Sequence, residues 1–448
     1  MSDEEYKEKT KLVLREAKIN PWSEVEIRTK DGLLIKGLVL PPFKIGREDV
    51  IFVKLPNGYN IGLSLENISE LRILGRRSVE YKIPEKEVKP KKGLPKVSLI
   101  GAGGTIASRV EYETGAVKPA FTPYELVNAI PEMFEIANIE PRLIFNIFSE
   151  DMTPAHWIRL AKEVERDIRN GAEGVVITHG TDTMQYTASA LAFMLQNLPV
   201  PVVLTGAQRS SDRPASDAAT NVIASVLFAA RGEVAEVVVS MHANSDDTKI
   251  LIHRGVRVRK MHSSRRDAFR TIGDIPLALI TPENLKIRYL RSDFDKRRKR
   301  KDDIYADAVF EEKVALLYTY PNMEPDLIHV LIDKRYRGLI LVGTGLGHAP
   351  KSILEALKRA IGEGMLIFMT TQCIWGPVKM NVYERGRVLQ RIGVIPADGL
   401  LPEVAYVKLG WLLGHKDLDK KQVIALMHKN LRHEIVTREP PNAYFTNV

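Results

Sequence analysis

A threonine follows two glycines at the end of an apolar segment in Gly101-Ala102-Gly103-Gly104-Thr105-Ile106-Ala107. Glycines permit a sharp turn, and backbone N–H groups on such a loop can face a developing oxyanion, a setting that suits Thr105 as an acyl-transfer nucleophile. Nucleotide binding is the weaker reading. A dinucleotide fingerprint needs glycine where Ile106 stands, and a phosphate loop needs Gly-Lys-Ser/Thr. A turn threonine with a local hydrogen bond stays open as the alternative. Thr178-His179-Gly180-Thr181-Asp182-Thr183 repeats the pattern, with Thr181 and Asp182 as a second hydroxyl and a carboxylate, or as plain helix caps. Thr205-Gly206-Ala207-Gln208-Arg209 is a third such exit. Ser149-Glu150-Asp151-Met152 offers the hydroxyl and carboxylates that a zwitterionic substrate requires, or a capped helix entrance at Pro154. Lys260 is an amine in the cationic stretch from Arg254 to His262, a setting in which lysine can serve as a base. No Gly-x-Ser-x-Gly elbow and no His-Glu-x-x-His spacing occurs, so His179 and His262 receive no catalytic role and no metal site is expected.

These loops need a scaffold that gathers them at one edge. Short apolar runs predict parallel strands at 97–101, 143–147, 174–178, 200–205 and 237–241, and helical periods fall at 123–130, 154–170, 183–196 and 216–230. The βα alternation predicts a doubly wound α/β sheet with a crevice at the strands' carboxyl ends. A smaller α/β set follows, with strands at 314–318, 338–342 and 366–370 and helices near 325–333, 350–362 and 419–429. Before all of this, a helix at 6–18 precedes two hairpins, 25–29 with 33–40 around Lys30-Asp31-Gly32, and 50–55 with 59–65 around Pro56-Asn57-Gly58, which reads as a small all-β barrel. The division expected is 1–80 for the barrel, 81–96 for a Pro/Lys-rich linker, 97–294 for the first α/β domain, 295–312 for a charged linker and 313–448 for the second.

The chain has 448 residues, 44% of them hydrophobic and 27% charged, the composition of a globular protein of several domains. No apolar run is long enough to span a bilayer. The leading MSDEEYKEKTK lacks the apolar core of a secretory signal, and the single Cys373 fits a reducing compartment, so a cytoplasmic location is expected. Lys and Arg exceed Asp and Glu by 65 to 56, a net charge of +9. The run Lys296, Arg297, Arg298, Lys299, Arg300 and Lys301 either contacts phosphates or forms a solvated loop.

Taken together and in order, the four loop motifs, with Lys260-Met261-His262, Gly343-Thr344-Gly345 and Thr371-Gln372-Cys373, resemble the bacterial-type L-asparaginase family over about residues 95–440. The resemblance implies an asparaginase-like two-domain parallel-sheet sandwich core preceded by the small all-β barrel. It implies catalysis by Thr105, Thr181, Asp182 and Lys260, and substrate binding by Ser149, Glu150 and Asp182. The added barrel is similar to that of the archaeal D-subunit branch of tRNA-dependent amidotransferases. In that branch an asparaginase-like glutaminase releases ammonia for a GatE-like partner subunit that converts Glu-tRNA(Gln) to Gln-tRNA(Gln). The resemblance implies no cofactor in this subunit, ATP and Mg at the partner, and a homodimer within a heterotetramer away from any membrane. The loop 112–119 departs from free asparaginases, many of which carry a tyrosine near the position of Ala116. A free cytosolic L-asparaginase is the alternative, and a noncatalytic tRNA-binding protein a third reading.

Overall fold

The computed structural model describes residues 8–20, 23–40, 49–55, 60–76, 90–104, 108–110, 117–119, 130–209, 216–299 and 303–443. Thr105, the loop residues 111–116 and the helix expected at 123–130, apart from Ile130, lie outside the described residues.

The first unit follows a helix, Glu8–Glu16. Strand Ser23–Thr29 alternates buried with partly exposed residues, the period-2 mark of a sheet with one wet face. Its inward residues Val25 and Ile27 meet Ile35, Val39, Ile51 and Val53. Gly32 adopts φ +88° in the turn to Leu34–Val39. The sheet has five strands, because Ile68–Arg76 pairs antiparallel with Ser23–Thr29. Its mixed sequence ISELRILGR hides that strand from a search for apolar alternation.

The central layer is an eight-stranded sheet. Asn138–Leu143, Lys96–Gly101, Gly174–Thr178, Val202–Thr205 and Val237–His242 run parallel, and Ile250–Arg254, Ala278–Thr281 and Lys286–Tyr289 extend it antiparallel. Gly174–Thr178 is buried throughout, as a parallel strand covered on both faces must be. Val175 and Ile177 pack with helices Pro154–Arg169 and Met184–Met194 on one face, while Val176 joins helix Ala218–Arg231 on the other.

One expected strand is displaced. The apolar run at 143–147 is an exit loop, and the strand is the preceding Asn138–Leu143, with Pro141 inside it. It is the sheet's edge, where proline is tolerated and half-exposure removes the apolar pattern.

A second parallel sheet of Val314–Tyr318, Gly338–Gly343, Leu366–Thr371 and Ile395–Pro396 carries Asp326–Asp333 and Leu354–Gly362 on one face. Helix Pro402–Gly414, 13 residues, lies between the two sheets and packs on Met184–Met194. It is apolar nearly all round, so it carries no amphipathic period by which to recognise it. No helix among the described residues is long and apolar enough to cross a membrane.

Candidate active site

Three parallel strands end side by side. Ala102 N–H donates to the Thr178 carbonyl at 2.9 Å, and His179 N–H donates to that of Thr205 at 2.9 Å. The loops then interlock through glycines. A β-carbon on Gly103 (φ +93°) would collide with the Ile147 backbone, and one on Gly104 (φ +88°) with the Gly180 backbone. A β-carbon on Gly180 would sit 2.6 Å from Ser149 Cβ, and one on Gly206 would sit 2.9 Å from Thr181 Cγ2. Thus the 101–104, 147–151, 179–183 and 205–209 segments meet at one point. Gly104, the last described residue before Thr105, lies against Gly180.

At that point Lys260 Nζ donates to Thr181 Oγ1 at 2.8 Å and to Asp182 Oδ1 at 2.8 Å. Lysine arrives from 78 residues away on the hairpin Val258–Lys260 with Phe269–Thr271. Thr181 is buried, the Lys260 side chain is 9% exposed, and that of Asp182 is 67% exposed. With one partner in water the ion pair adds little stability; its effect is to fix the amine against the hydroxyl. Since Lys260 donates to Thr181 Oγ1, the threonine's own hydrogen is free to point elsewhere. The unit offers a hydroxyl, an amine and an acid in one hydrogen-bonded line, the elements of a proton relay.

Ser149 is buried, and its carbonyl accepts from Thr183 Oγ1 at 2.6 Å, which ties the 149–151 turn to the Thr181 loop. Glu150 is exposed on the same turn and makes no hydrogen bond or ion pair to the other described site residues. The structure therefore brings together Thr181, Asp182, Lys260 and the Ser149 turn.

Supports that single-residue reading overlooks hold these loops. Trp157 Nε1 can only donate, and it gives its hydrogen to Thr187 Oγ1 at 3.0 Å. The Gly180 carbonyl can only accept and lies 2.6 Å from His179 Nδ1, so the neutral ring carries its proton there. His179 Nε2 is then the acceptor for the Thr187 hydroxyl at 2.9 Å. Burial lowers the His179 pKa to about 4, which keeps the ring neutral in this chain of bonds. The 205–209 loop is held differently. Asp217 precedes helix Ala218–Arg231 but turns its carboxylate to Gln208 N–H and Arg209 N–H, each at 3.0 Å, and Asn221 Nδ2 donates to the Gly206 carbonyl at 2.9 Å. His242 Nδ1 lies 2.8 Å from Asn221 Oδ1 and steadies that amide.

The basic run is partly structural. Arg297 donates to the Ala230 and Gly232 carbonyls at 2.9 and 3.2 Å, closing a helix end, and Arg298 donates to the Asn197 carbonyl at 2.6 Å. Among the described residues, the one His/carboxylate group close enough to share an ion is Glu236, Asp295 and His433. Arg254 already occupies both Glu236 oxygens, at 2.7 and 3.0 Å, and this group precedes strand Val237–His242, at the end of the sheet away from the loops.

The chain matches three family models: "Asparaginase, N-terminal" over residues 96–293, "Glutaminase/Asparaginase C-terminal domain" over 313–427, and "GatD N-terminal domain" over 19–74. It is 50% identical over 421 residues to the D subunit of glutamyl-tRNA(Gln) amidotransferase from Pyrococcus furiosus, covering 93% of this chain and 95% of that protein. Identity to the corresponding protein of Methanopyrus kandleri is 48% over 437 residues, covering 96% and 95%. Among solved structures, the thermostable L-asparaginase of Thermococcus kodakarensis superposes with a TM-score of 0.66 at 30% identity, covering 76% of this chain and 99% of that one. L-asparaginase I of Vibrio cholerae gives 0.66 at 28%, covering 77% and 100%.

Proposed function

Because this chain belongs to the family of glutamyl-tRNA(Gln) amidotransferase D subunits, built on the asparaginase fold, we propose that it is the glutaminase subunit of such an amidotransferase. The observation that carries this reading is the Thr181–Lys260–Asp182 line at the strand exits, on a chain that also has the extra five-stranded sheet. Solved asparaginases match at nearly full length yet leave about a quarter of this chain uncovered, while the D-subunit relatives match along nearly all of it.

In the proposed mechanism Thr105 attacks the side-chain amide carbon of glutamine. Gly104 against Gly180 supports this assignment, since it brings the chain to the Thr181 loop just before residue 105. Thr181 and Lys260 relay the nucleophile's proton to the leaving nitrogen, and Asp182 orients the lysine. Backbone N–H groups of the interlocked loops stabilise the oxyanion. Ammonia departs, and water resolves the acyl-enzyme. Ser149, Glu150 and Asp182 hold the substrate's amino-acid end by charge-assisted hydrogen bonds. No metal takes part in this subunit. Residues 97–294 carry the chemistry, and 313–448 form the second α/β domain.

The released ammonia serves a GatE-like partner that binds ATP and Mg and acts on tRNA(Gln) charged with glutamate, in a cytoplasmic heterotetramer containing a homodimer of this chain. Copurification of the chain with its partner, followed by ammonia release with and without charged tRNA, tests the reading. Stimulation by charged tRNA is expected; turnover of free asparagine that is indifferent to partner and tRNA would favour a free asparaginase.

A further inference from the structure

Lys260 is carried on a hairpin of three residues a side, too short to hold its geometry alone. The register places Arg259 directly opposite Arg270, and like charges in that position work against the pairing. Each arginine meets a different carboxylate, Arg270 sharing its with Arg265. Arg270 donates to Asp267 of the same loop at 2.6 Å. Arg259 is met from the other sheet's half of the molecule: its Nε lies 3.7 Å from Oε1 of Glu403, in the first turn of helix Pro402–Gly414. Its Nη2 donates to the Tyr318 hydroxyl at 3.2 Å, at the end of strand Val314–Tyr318.

Glu403 is 2% exposed, and its Oε1 has no hydrogen-bond partner among the described residues. An acid near a helix N-terminus is favourable when it faces water, but burying one is costly and calls for a separate reason. Burial pushes the Glu403 pKa up, against the pull of Arg259. Burial also works against the Arg259 charge, and Glu403 and Tyr318 outweigh it, so that the guanidinium's pKa is raised. The same helix reaches the other side of the site. Tyr406 packs edge-on against Tyr186, with centroids 6.3 Å apart, on the helix that begins at Met184 just after Thr181 and Asp182.

We propose that Glu403 and Arg259 are a positioning pair, through which the half of the chain built on the second sheet holds the Lys260 hairpin so that Nζ keeps its contacts with Thr181 and Asp182. The proposal rests on the role given to Lys260 above. Neither residue belongs to the set proposed above to hold the substrate, Ser149, Glu150 and Asp182, so their loss changes turnover and leaves substrate binding nearly intact.

The test is steady-state ammonia release from glutamine by the full-length chain in complex with its partner, with thermal unfolding measured in parallel. Glu403→Gln and Arg259→Met each lower kcat by about 100-fold, the scale of an ångström-level misplacement, with KM within about threefold. Their double variant falls no further than either alone, since both remove one interaction, and Arg259→Lys restores most of kcat. Wild-type kcat in Glu403→Gln beside an inactive Lys260→Ala overturns the pair and spares the relay; wild-type release by Lys260→Ala overturns both. If Glu403→Gln does not fold, the half-exposed Tyr318→Phe decides: a severalfold drop in kcat at unchanged Tm supports the pair, and wild-type kcat overturns it.

Discussion

Replacing Thr187 with valine removes one oxygen from the centre of the chain of bonds that sets the Gly180 carbonyl. Valine has nearly the same shape and is acceptable in helix Met184–Met194, so no cavity forms. What remains is two stranded polar groups, Trp157 Nε1–H and His179 Nε2, both having lost their bond to Thr187 Oγ1. The His179 ring is fully buried and the indole nearly so, at 4%. An unsatisfied buried group costs about 1–3 kcal/mol, which gives a loss of about 2–6 kcal/mol for the pair. Because His179 Nδ1 is bonded to the Gly180 carbonyl at 2.6 Å, freeing the ring also loosens the loop that carries Thr181, and kcat should fall about tenfold. Urea unfolding of Thr187→Val gives the first number and ammonia release the second. A stability change under about 0.5 kcal/mol, within the range of ordinary surface substitutions, would refute the hydrogen-bond chain and the tautomer deduced from it.

Two further outcomes follow from the same geometry. Burial lowers His179 to about 4, and burial followed by the Arg270 charge lowers His253 to about 3, from 6.5. Both rings are neutral when folded and take up protons only on unfolding, so their stability is full above pH 6.5 and is lost as pH falls toward 4 and 3. The losses are about 3 and about 5 kcal/mol; a urea midpoint that stays flat from pH 7 to pH 4 would contradict neutral burial. Gly206→Ala places a methyl 2.6 Å from the His179 carbonyl oxygen and 2.9 Å from Thr181 Cγ2. It should cost about 1–3 kcal/mol and lower kcat, and a fully active, equally stable variant would show that the loops are not packed as described.

How much of this was legible in the residues depends on local pattern. Parallel strands buried on both faces, such as Gly174–Thr178, read directly as apolar runs. The edge strand Asn138–Leu143 did not, because half-exposure and Pro141 erase the pattern and shift attention to the apolar exit loop after it. Helix Pro402–Gly414 leaves no local signal for the opposite reason, being buried on nearly all sides. At the site, the glycine-hydroxyl loops marked Thr181, Asp182 and Ser149, and Lys260 stood out as an amine in a basic stretch. Trp157, Thr187, Asp217 and Asn221 gave no signal, since their roles exist only once remote segments meet. Arg259 and Glu403 are 144 positions apart in the chain, and nothing local to either suggests the other. The composition of the basic run suits a phosphate contact or a solvated loop, whereas Arg297 and Arg298 donate to backbone carbonyls and Arg298 also pairs with Asp303.

The central claim is that a hydroxyl at position 105 and an amine at position 260 act on one amide. Ammonia release from glutamine, measured on the chain with its partner and charged tRNA, tests it most directly when wild type, Thr105→Ala and Lys260→Ala are compared at matched folding and assembly. Both variants should lose at least about 1,000-fold in kcat, each nearly as much as the double variant, as residues acting in one unit do. Release at the wild-type rate from Thr105→Ala would contradict it.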